Sequence, residues 1–441
     1  MKARDELSTS EVLRFWWPLA STWLLMATEG LLLAFIIARM PGPRENLAAY
    51  GVAFSFAIIV EAPVILLMSA STALVKDAQG YRALWRFTVR LNLVITGVML
   101  VLVLPPVWNA MASLIGLTPG VAHLVHVSLL LLLPWPAAIG DRRFHQGLMI
   151  RGNRTGRVAL GTVARVAVMG LTAVVLALSG RFEGAPVAAA ALSMGVVTES
   201  LMVRRMVRPI LQPLREQASQ LGPAVPAQLT QRAVFQFYLP LALTSVIALA
   251  SQPVITFFMG RALHPLQSLA VLPVLNGLTF IFRALALSYQ EVAIALVGDG
   301  GEHFAKIRGV ARGLFLVVLA CLALIAWTPF GSWWLREVQG LDAELADFAL
   351  LPLRIYAFLP AMSVVQSFQR AVLVHARRTG SMGWATAVEL SVLAACLAFL
   401  VTGHLVPGVV AAAIATLCGR VAGISVLFFR VRRVVEGYSS D

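Results

Sequence analysis

The sequence predicts an all-α integral membrane protein: twelve transmembrane helices in two six-helix lobes, related by a pseudo-two-fold axis along the membrane normal. Three observations lead there. Of 441 residues, 59% are hydrophobic and 13% charged, about half the charged share of a soluble domain. Apolar stretches of the length a bilayer needs, about 20 residues, recur along the whole chain. The two halves also match. Phe15 to Arg39 (FWWPLASTWLLMATEGLLLAFIIAR) aligns without a gap on Phe237 to Arg261 (FYLPLALTSVIALASQPVITFFMGR), setting Pro18 on Pro240 and Arg39 on Arg261.

The first six spans are expected at about 13–38, 46–75, 87–108, 121–148, 157–179 and 185–206, and the second six at about 233–260, 267–298, 309–330, 346–373, 381–402 and 406–430. Between the sets, Arg208 to Arg232 holds Pro209, Pro213, Pro223 and Pro226 among polar residues and reads as the linker. It divides a lobe at 1–207 from a lobe at 233–441. The repeat extends past the first spans: Asp77 falls on Asp299, Arg90 on Arg312, Pro136 on Pro360, Phe144 on Phe368, and Thr155-Gly156 on Thr379-Gly380. Six spans per half is an even number, so both halves insert the same way up. Transporters place their substrate at the interface of such repeats.

Charge placement gives the orientation. Of 35 Lys and Arg, only Arg39, Arg44, Arg181, Arg261 and Arg336 fall in outer loops, and Arg165, Arg283, Arg354 and Arg420 lie within spans away from the inner-end clusters. The remainder line the inner segments, so both termini and the linker are expected in the cytoplasm of a bacterial plasma (inner) membrane. The net charge of +14 is thus a topology signal with contact to anionic membrane lipids, and nucleic acid is not an expected partner. No cleavable signal peptide is expected, and the chain is read as a monomer. Cys321, Cys396 and Cys418 lie in apolar helices without a CxxC pair and read as core residues. Trp16, Trp17, Trp108, Trp333 and Trp334, near span ends, read as an interfacial belt.

Signals for catalysis are poor, and no enzyme is expected. The sequence has no GxxxxGK[ST] phosphate loop. His123 and His126 form HxxH without a carboxylate, so neither metal nor other cofactor is expected, beyond coupling to H+ or Na+. Asn153-Arg154-Thr155 matches a glycosylation acceptor but falls in an inner loop.

The informative residues are charges inside hydrocarbon. Arg283 sits near the middle of the eighth span, with Gln290 and Glu291 two turns on. A charge at that depth costs at least about 2.5–3.5 kcal/mol, so it faces protein or a water-filled cavity. Glu61 occupies the equivalent position of the second span, and Pro63 beside it frees backbone carbonyls. The expectation is a central site with Glu61, Arg283, Gln252, Tyr289, Gln290, Glu291 and Arg354 as substrate-binding residues. Two alternatives stand beside it: Glu61 and Arg283 as a buried ion pair, and Arg354 as a snorkelling anchor. Arg165 and Glu389 form a second matched pair, and Glu199 and Arg420 lie toward the cytoplasmic ends; all four read as structural. Glu29, in the outer half of the first span, is the candidate for ion coupling.

The two-lobe pattern, with Pro near the start of the first and seventh spans, resembles the multidrug/oligosaccharidyl-lipid/polysaccharide exporter superfamily. Within it, Leu47 to Phe56 (LAAYGVAFSF), Tyr238 to Leu243 (YLPLAL), Pro253 to Phe257, Trp327-Thr328-Pro329 and Pro352 to Phe358 (PLRIYAF) resemble the progressive ankylosis protein family. The resemblance implies a MATE-like fold and export of a small anionic solute such as pyrophosphate, citrate or a nucleotide. Related drug exporters carry an acidic coupling residue on the first helix, which Glu29 resembles in position. Alternatives are a flippase for a lipid-linked saccharide or peptidoglycan precursor, or a cation-coupled multidrug exporter.

Overall fold

The computed structural model describes residues 7–152, 154–220, 230–297, 302–376 and 380–438. Twelve helices are long and apolar enough to cross a membrane, and among the described residues there is no β-strand. They are α1 (Thr9–Ile37), α2 (Pro43–Leu74), α3 (Ala78–Leu102), α4 (Pro119–Arg151), α5 (Thr155–Leu178), α6 (Gly184–Gln220), α7 (Gln231–Met259), α8 (Pro265–Leu296), α9 (Phe304–Trp327), α10 (Ala343–His375), α11 (Gly380–Thr402) and α12 (Gly408–Tyr438). Shorter helices cover Pro105–Ile115 and Pro329–Trp333.

Local chemistry sets the starts. Ser8 and Glu11 form a reciprocal capping box at α1. Asp77 accepts from the Gly80 amide at 2.8 Å, Thr230 from Ala233 at 3.1 Å and Asp342 from Leu345 at 2.9 Å, each meeting a donor the helix leaves unpaired. Proline opens α2, α4 and α8, where its missing N–H costs nothing. Four spans are interrupted beside a proline: α2 at Ala62–Leu66 by Pro63, α4 at 132–134 by Pro136, α7 at Ala250 by Pro253, and α10 at Ala357 by Pro360. A ring nitrogen cannot donate to the carbonyl four residues back, so the ladder opens there.

Two expectations on extent are corrected. The third span begins at Ala78, not near 87, because the Asp77 cap starts it, and Leu104-Pro105 ends it before the separate helix at 105–115. The expected linker at 208–232 is helical in its first part: α6 runs on to Gln220 through Pro209 and Pro213, both exposed where water can take the freed carbonyls. Residues 221–229, with Pro223 and Pro226, lie outside the described residues, as do Asn153 and Asp299.

The contacts divide the chain into two compact units, Met40–Phe257 and Met1–Arg39 with Phe258–Asp441. The first, here the N unit, holds α2–α7; the second, the C unit, holds α1 and α8–α12. This differs from a division at the linker, since the first span of each half belongs with the other half's helices. The reasons are local. In the C unit, Trp16 on α1 donates to Ser288 Oγ on α8 at 2.8 Å and meets the Tyr289 ring edge-on at 6.2 Å. Further along the same pair, Leu31 of α1 lies against Gly277 of α8, where even a Cβ would come within 2.8 Å. In the N unit, α7 is held by Tyr238, whose hydroxyl donates to the Pro63 carbonyl at 2.5 Å, and by Gln231, which donates to the Ala83 carbonyl at 2.7 Å.

Large apolar side chains line the outside, among them Leu93, Leu171, Leu178, Leu316, Phe399 and Phe429, as expected of helices facing lipid. Cys321 and Cys418 share that exposed surface, and Cys396 is half-buried; the expectation of three core cysteines is corrected. Of the tryptophans expected in an interfacial belt, Trp17 and Trp333 are exposed. Trp108 and Trp334 are buried, Trp108 because its indole N–H donates to the Ala122 carbonyl at 2.9 Å.

Candidate functional site

Each unit carries a buried charged cluster, and the two are built on equivalent positions with the charges exchanged. In the N unit, α5 and α6 close up at Gly195, where a Cβ would lie 2.9 Å from the Arg165 carbonyl. In the C unit, α11 and α12 close up at Gly419, the repeat equivalent, where a Cβ would lie 2.6 Å from the Glu389 carbonyl. The residue opposite the glycine is thus Arg165 in one unit and Glu389 in the other, and its counter-charge comes from the next helix as Glu199 or Arg420.

Glu199 on α6 is the anchor of the N-unit cluster. Its carboxylate, wholly buried, pairs with Arg142 of α4, with Arg165 Nε at 3.2 Å, and accepts from Gln146 Nε2 at 3.0 Å. A carboxylate in low dielectric needs such saturation. One turn toward the helix end, Asp141 accepts from Ser200 Oγ at 2.6 Å and from both arms of Arg204 at 2.7 and 2.8 Å, with His145 Nδ1 3.4 Å from Oδ1. Arg143, between these groups, meets only the Met68 sulfur, at 3.9 Å. The charges acting on Glu61 are Arg142, Arg143 and Arg165.

In the C unit, Glu389 accepts from Gln366 Nε2 at 2.8 Å and pairs with Arg420 Nε at 3.2 Å, while Arg420 also donates to Gln366 Oε1. Arg370 donates to Thr386 Oγ1 at 3.2 Å. Arg283 faces Arg420, Glu389, Tyr356 and Arg370. Among the described residues it makes no hydrogen bond or ion pair, and its Nε is buried without a partner. Three guanidinium groups therefore surround one carboxylate. In the low-dielectric interior that excess is costly, and an anion would relieve it.

The expected site residues separate on this geometry. Arg283, Tyr289, Gln290, Glu291, Arg354 and Glu29 lie in the C unit, and Glu61 and Gln252 in the N unit. The Tyr289 hydroxyl is spent on the Ile307 carbonyl at 2.6 Å and the residue is fully buried, which leaves it no atom for a ligand. Arg354 is exposed and its Nε donates to the Ala326 carbonyl at 3.3 Å. Glu291 is exposed on α8, on the side of the Trp23 indole of α1. Gln252, Gln290 and Glu29 are half-buried.

Arg142, Arg143 and Arg370 carry the clusters, whereas charge placement groups them with the inner segments. Their signal was present: an Asp-Arg-Arg-Phe-His-Gln run falling where the repeat aligns Phe144 on Phe368. His126 stacks on Trp108 with its Nε2 2.7 Å from the Val103 carbonyl, so HxxH brings no pair of free imidazoles.

No family model matches the chain. Solved structures do. An inward-facing multidrug resistance MATE family transporter of the MOP superfamily superposes with a TM-score of 0.75 at 14% identity, covering 95% of this chain and 96% of that one. The lipid II flippase MurJ, in an inward closed conformation, gives 0.71 at 14% identity over 94% and 87%. A eukaryotic MATE transporter, AtDTX14, gives 0.60 at 13% identity over 98% and 99%. At these identities the likeness establishes a MATE-like fold over nearly the whole chain.

Proposed function

We propose that this MATE-like membrane protein is a secondary active transporter that exports a small anionic solute, of the pyrophosphate, citrate or nucleotide kind, by alternating access. The observation that carries the reading is Arg283. A half-buried guanidinium whose Nε is buried without a partner, in a cluster with Arg370 and Arg420 against Glu389 alone, suits an oxyanion that its planar fork can grip with two N–H groups. The likeness to proteins described as a multidrug transporter and a lipid II flippase supports a transporter rather than an enzyme. The sequence resemblance to the progressive ankylosis protein family supports the anionic class. Glu29 is the proposed coupling residue for H+ or Na+, and the proposed setting is a bacterial inner membrane with both termini cytoplasmic.

Uptake of radiolabelled pyrophosphate, citrate and nucleotides into proteoliposomes, with and without an imposed gradient, tests the reading. Arg283→Ala should abolish transport and Arg283→Lys should keep part of it. Transport at the wild-type rate by Arg283→Ala sinks the claim. A lipid-linked pyrophosphate substrate is the second reading, favoured by the superposition on a protein described as a lipid II flippase. Translocation of a lipid-linked saccharide in the same vesicles, with no uptake of soluble anions, would decide for it.

A further inference from the structure

Glu61 and Arg143 of the N unit are half-buried opposite charges, each with a buried polar atom that the fold leaves unsatisfied. Glu61 ends the first segment of α2, where the helix opens around Pro63. Among the described residues its carboxylate makes no hydrogen bond and no ion pair, and one oxygen is buried without a partner. Arg143 has only the Met68 sulfur, a weak acceptor. The charges that reach it are Arg142, Arg165, Glu61 and Glu199. Glu199 is already committed to Arg142, Arg165 and Gln146. Glu61 is therefore the anion left to balance Arg143, at longer range than a formed ion pair.

The other elements packed on α2 do not take over that role. From α7, Tyr238 spends its hydroxyl on the Pro63 carbonyl. From α4, His145 is turned to Asp141 and His126 to the Val103 carbonyl, and α3 presents Arg86 and Arg90 exposed at its surface. The second segment of α2 closes the other side, with Thr72 donating to the Gly147 carbonyl of α4 at 3.2 Å.

We propose that Glu61 is an internal counter-anion, displaced from Arg143 when a small oxyanion binds there, and that it takes up one proton on displacement. The inference rests on the anionic-solute reading but on a site in the other unit from Arg283. The chemistry is a single protonation: the carboxylate and one proton give the neutral carboxyl, and the oxyanion accepts the guanidinium N–H groups. Two anions beside one guanidinium in low dielectric repel each other, and protonation removes that repulsion. Each oxyanion would then bind with one proton, so the helix break at Glu61 links solute binding to the protonation of one carboxylate.

Sulfate is the probe, because it stays doubly charged across neutral pH and any proton taken up belongs to the protein. Purified protein in detergent and weak buffer, titrated with sodium sulfate against a pH-indicator dye, should take up about one proton per chain and gain thermal stability. The apparent affinity for sulfate should rise about tenfold for each pH unit of acidification while Glu61 is ionised in the free protein. Glu61→Gln should bind sulfate without proton uptake and without that pH dependence. Arg143→Gln should lose the sulfate stabilisation, and Arg143→Lys, which keeps the charge, should retain part. Proton uptake that persists in Glu61→Gln overturns the proposal, as does full sulfate stabilisation in Arg143→Gln. Sulfate binding without proton uptake, lost in Arg283→Ala, would overturn it while leaving the proposed function standing. No sulfate effect on the wild type overturns the Arg143 site, and the proteoliposome assay then judges the anionic-solute reading separately.

Discussion

Glu199 shows how one residue can hold a unit together at high stakes. Two arginines and a glutamine converge on it inside the protein, so removing the charge takes their shared counter-charge from two guanidinium groups. Breaking one side of such a pair costs about 3–5 kcal/mol. Glu199→Gln should accordingly lower the melting temperature in detergent and the yield of folded protein, and an unchanged melt would show that the cluster is not structural. Tyr289→Phe makes the contrasting case. It deletes one hydroxyl from the Ile307 carbonyl, a loss of about 0.5–1.5 kcal/mol for the bond itself, and should leave transport intact in vesicles matched for folded protein. A specific transport defect at full stability would return Tyr289 to the ligand set. At this scale the sequence was legible where a charge sat alone in an apolar run, as with Arg283, Glu61, Arg165 and Glu389. It was not legible for Arg142, Arg143 and Arg370. They lie within the last three turns of α4 and α10, where an arginine packed on a neighbouring helix and a positive-inside arginine look alike in sequence until that helix is placed.

At the scale of elements, the breaks and the close approaches were written in different residues. Prolines marked all four interruptions, yet at Pro18, Pro240 and Pro273 the helix runs on without a break, so the residue type alone does not decide. Thr22 and Thr244, one turn on, donate to the Pro18 and Pro240 carbonyls at 3.2 and 2.8 Å, whereas the carbonyls that these rings free lie one turn back, at Arg14 and Gln236. The close approach of α1 to α8 depends on Gly277. Gly277→Val should push Leu31 off its seat and lower thermal stability by about 1–3 kcal/mol, and a wild-type melt would mean that α1 yields freely. The six-helix repeat was visible in sequence, and the exchange of charge between its halves was not. The repeat aligns Arg165 with Glu389 and Gly195 with Gly419, but their counter-charges, Glu199 and Arg420, sit about one turn apart in the alignment. Only the packing of α6 and α12 makes them equivalent.

For the whole molecule, orientation is the most exposed proposal. With Cys321, Cys396 and Cys418 first changed to serine, a cysteine at Ser219 should resist a membrane-impermeant reagent added to intact cells and react after the membrane is opened. Labelling from outside would invert the topology. The twelve spans were legible because each is a long apolar run, and their membership of the two units was not, because contacts rather than chain order assign α1 and α7.

That membership has a consequence for how the protein is made. Neither unit is a continuous stretch of chain. As the chain leaves the ribosome, α1 enters the bilayer long before α8, the helix whose Ser288 and Gly277 receive it, has been synthesised. At about 5–20 residues per second the wait is roughly 10–50 s. The N unit likewise lacks Tyr238 on the Pro63 carbonyl until α7 emerges. During that interval α1, with Glu29 on board, is an orphan helix and a natural client for a membrane insertase or chaperone. Severing the gene at the linker should therefore yield two fragments that are stable only when co-expressed.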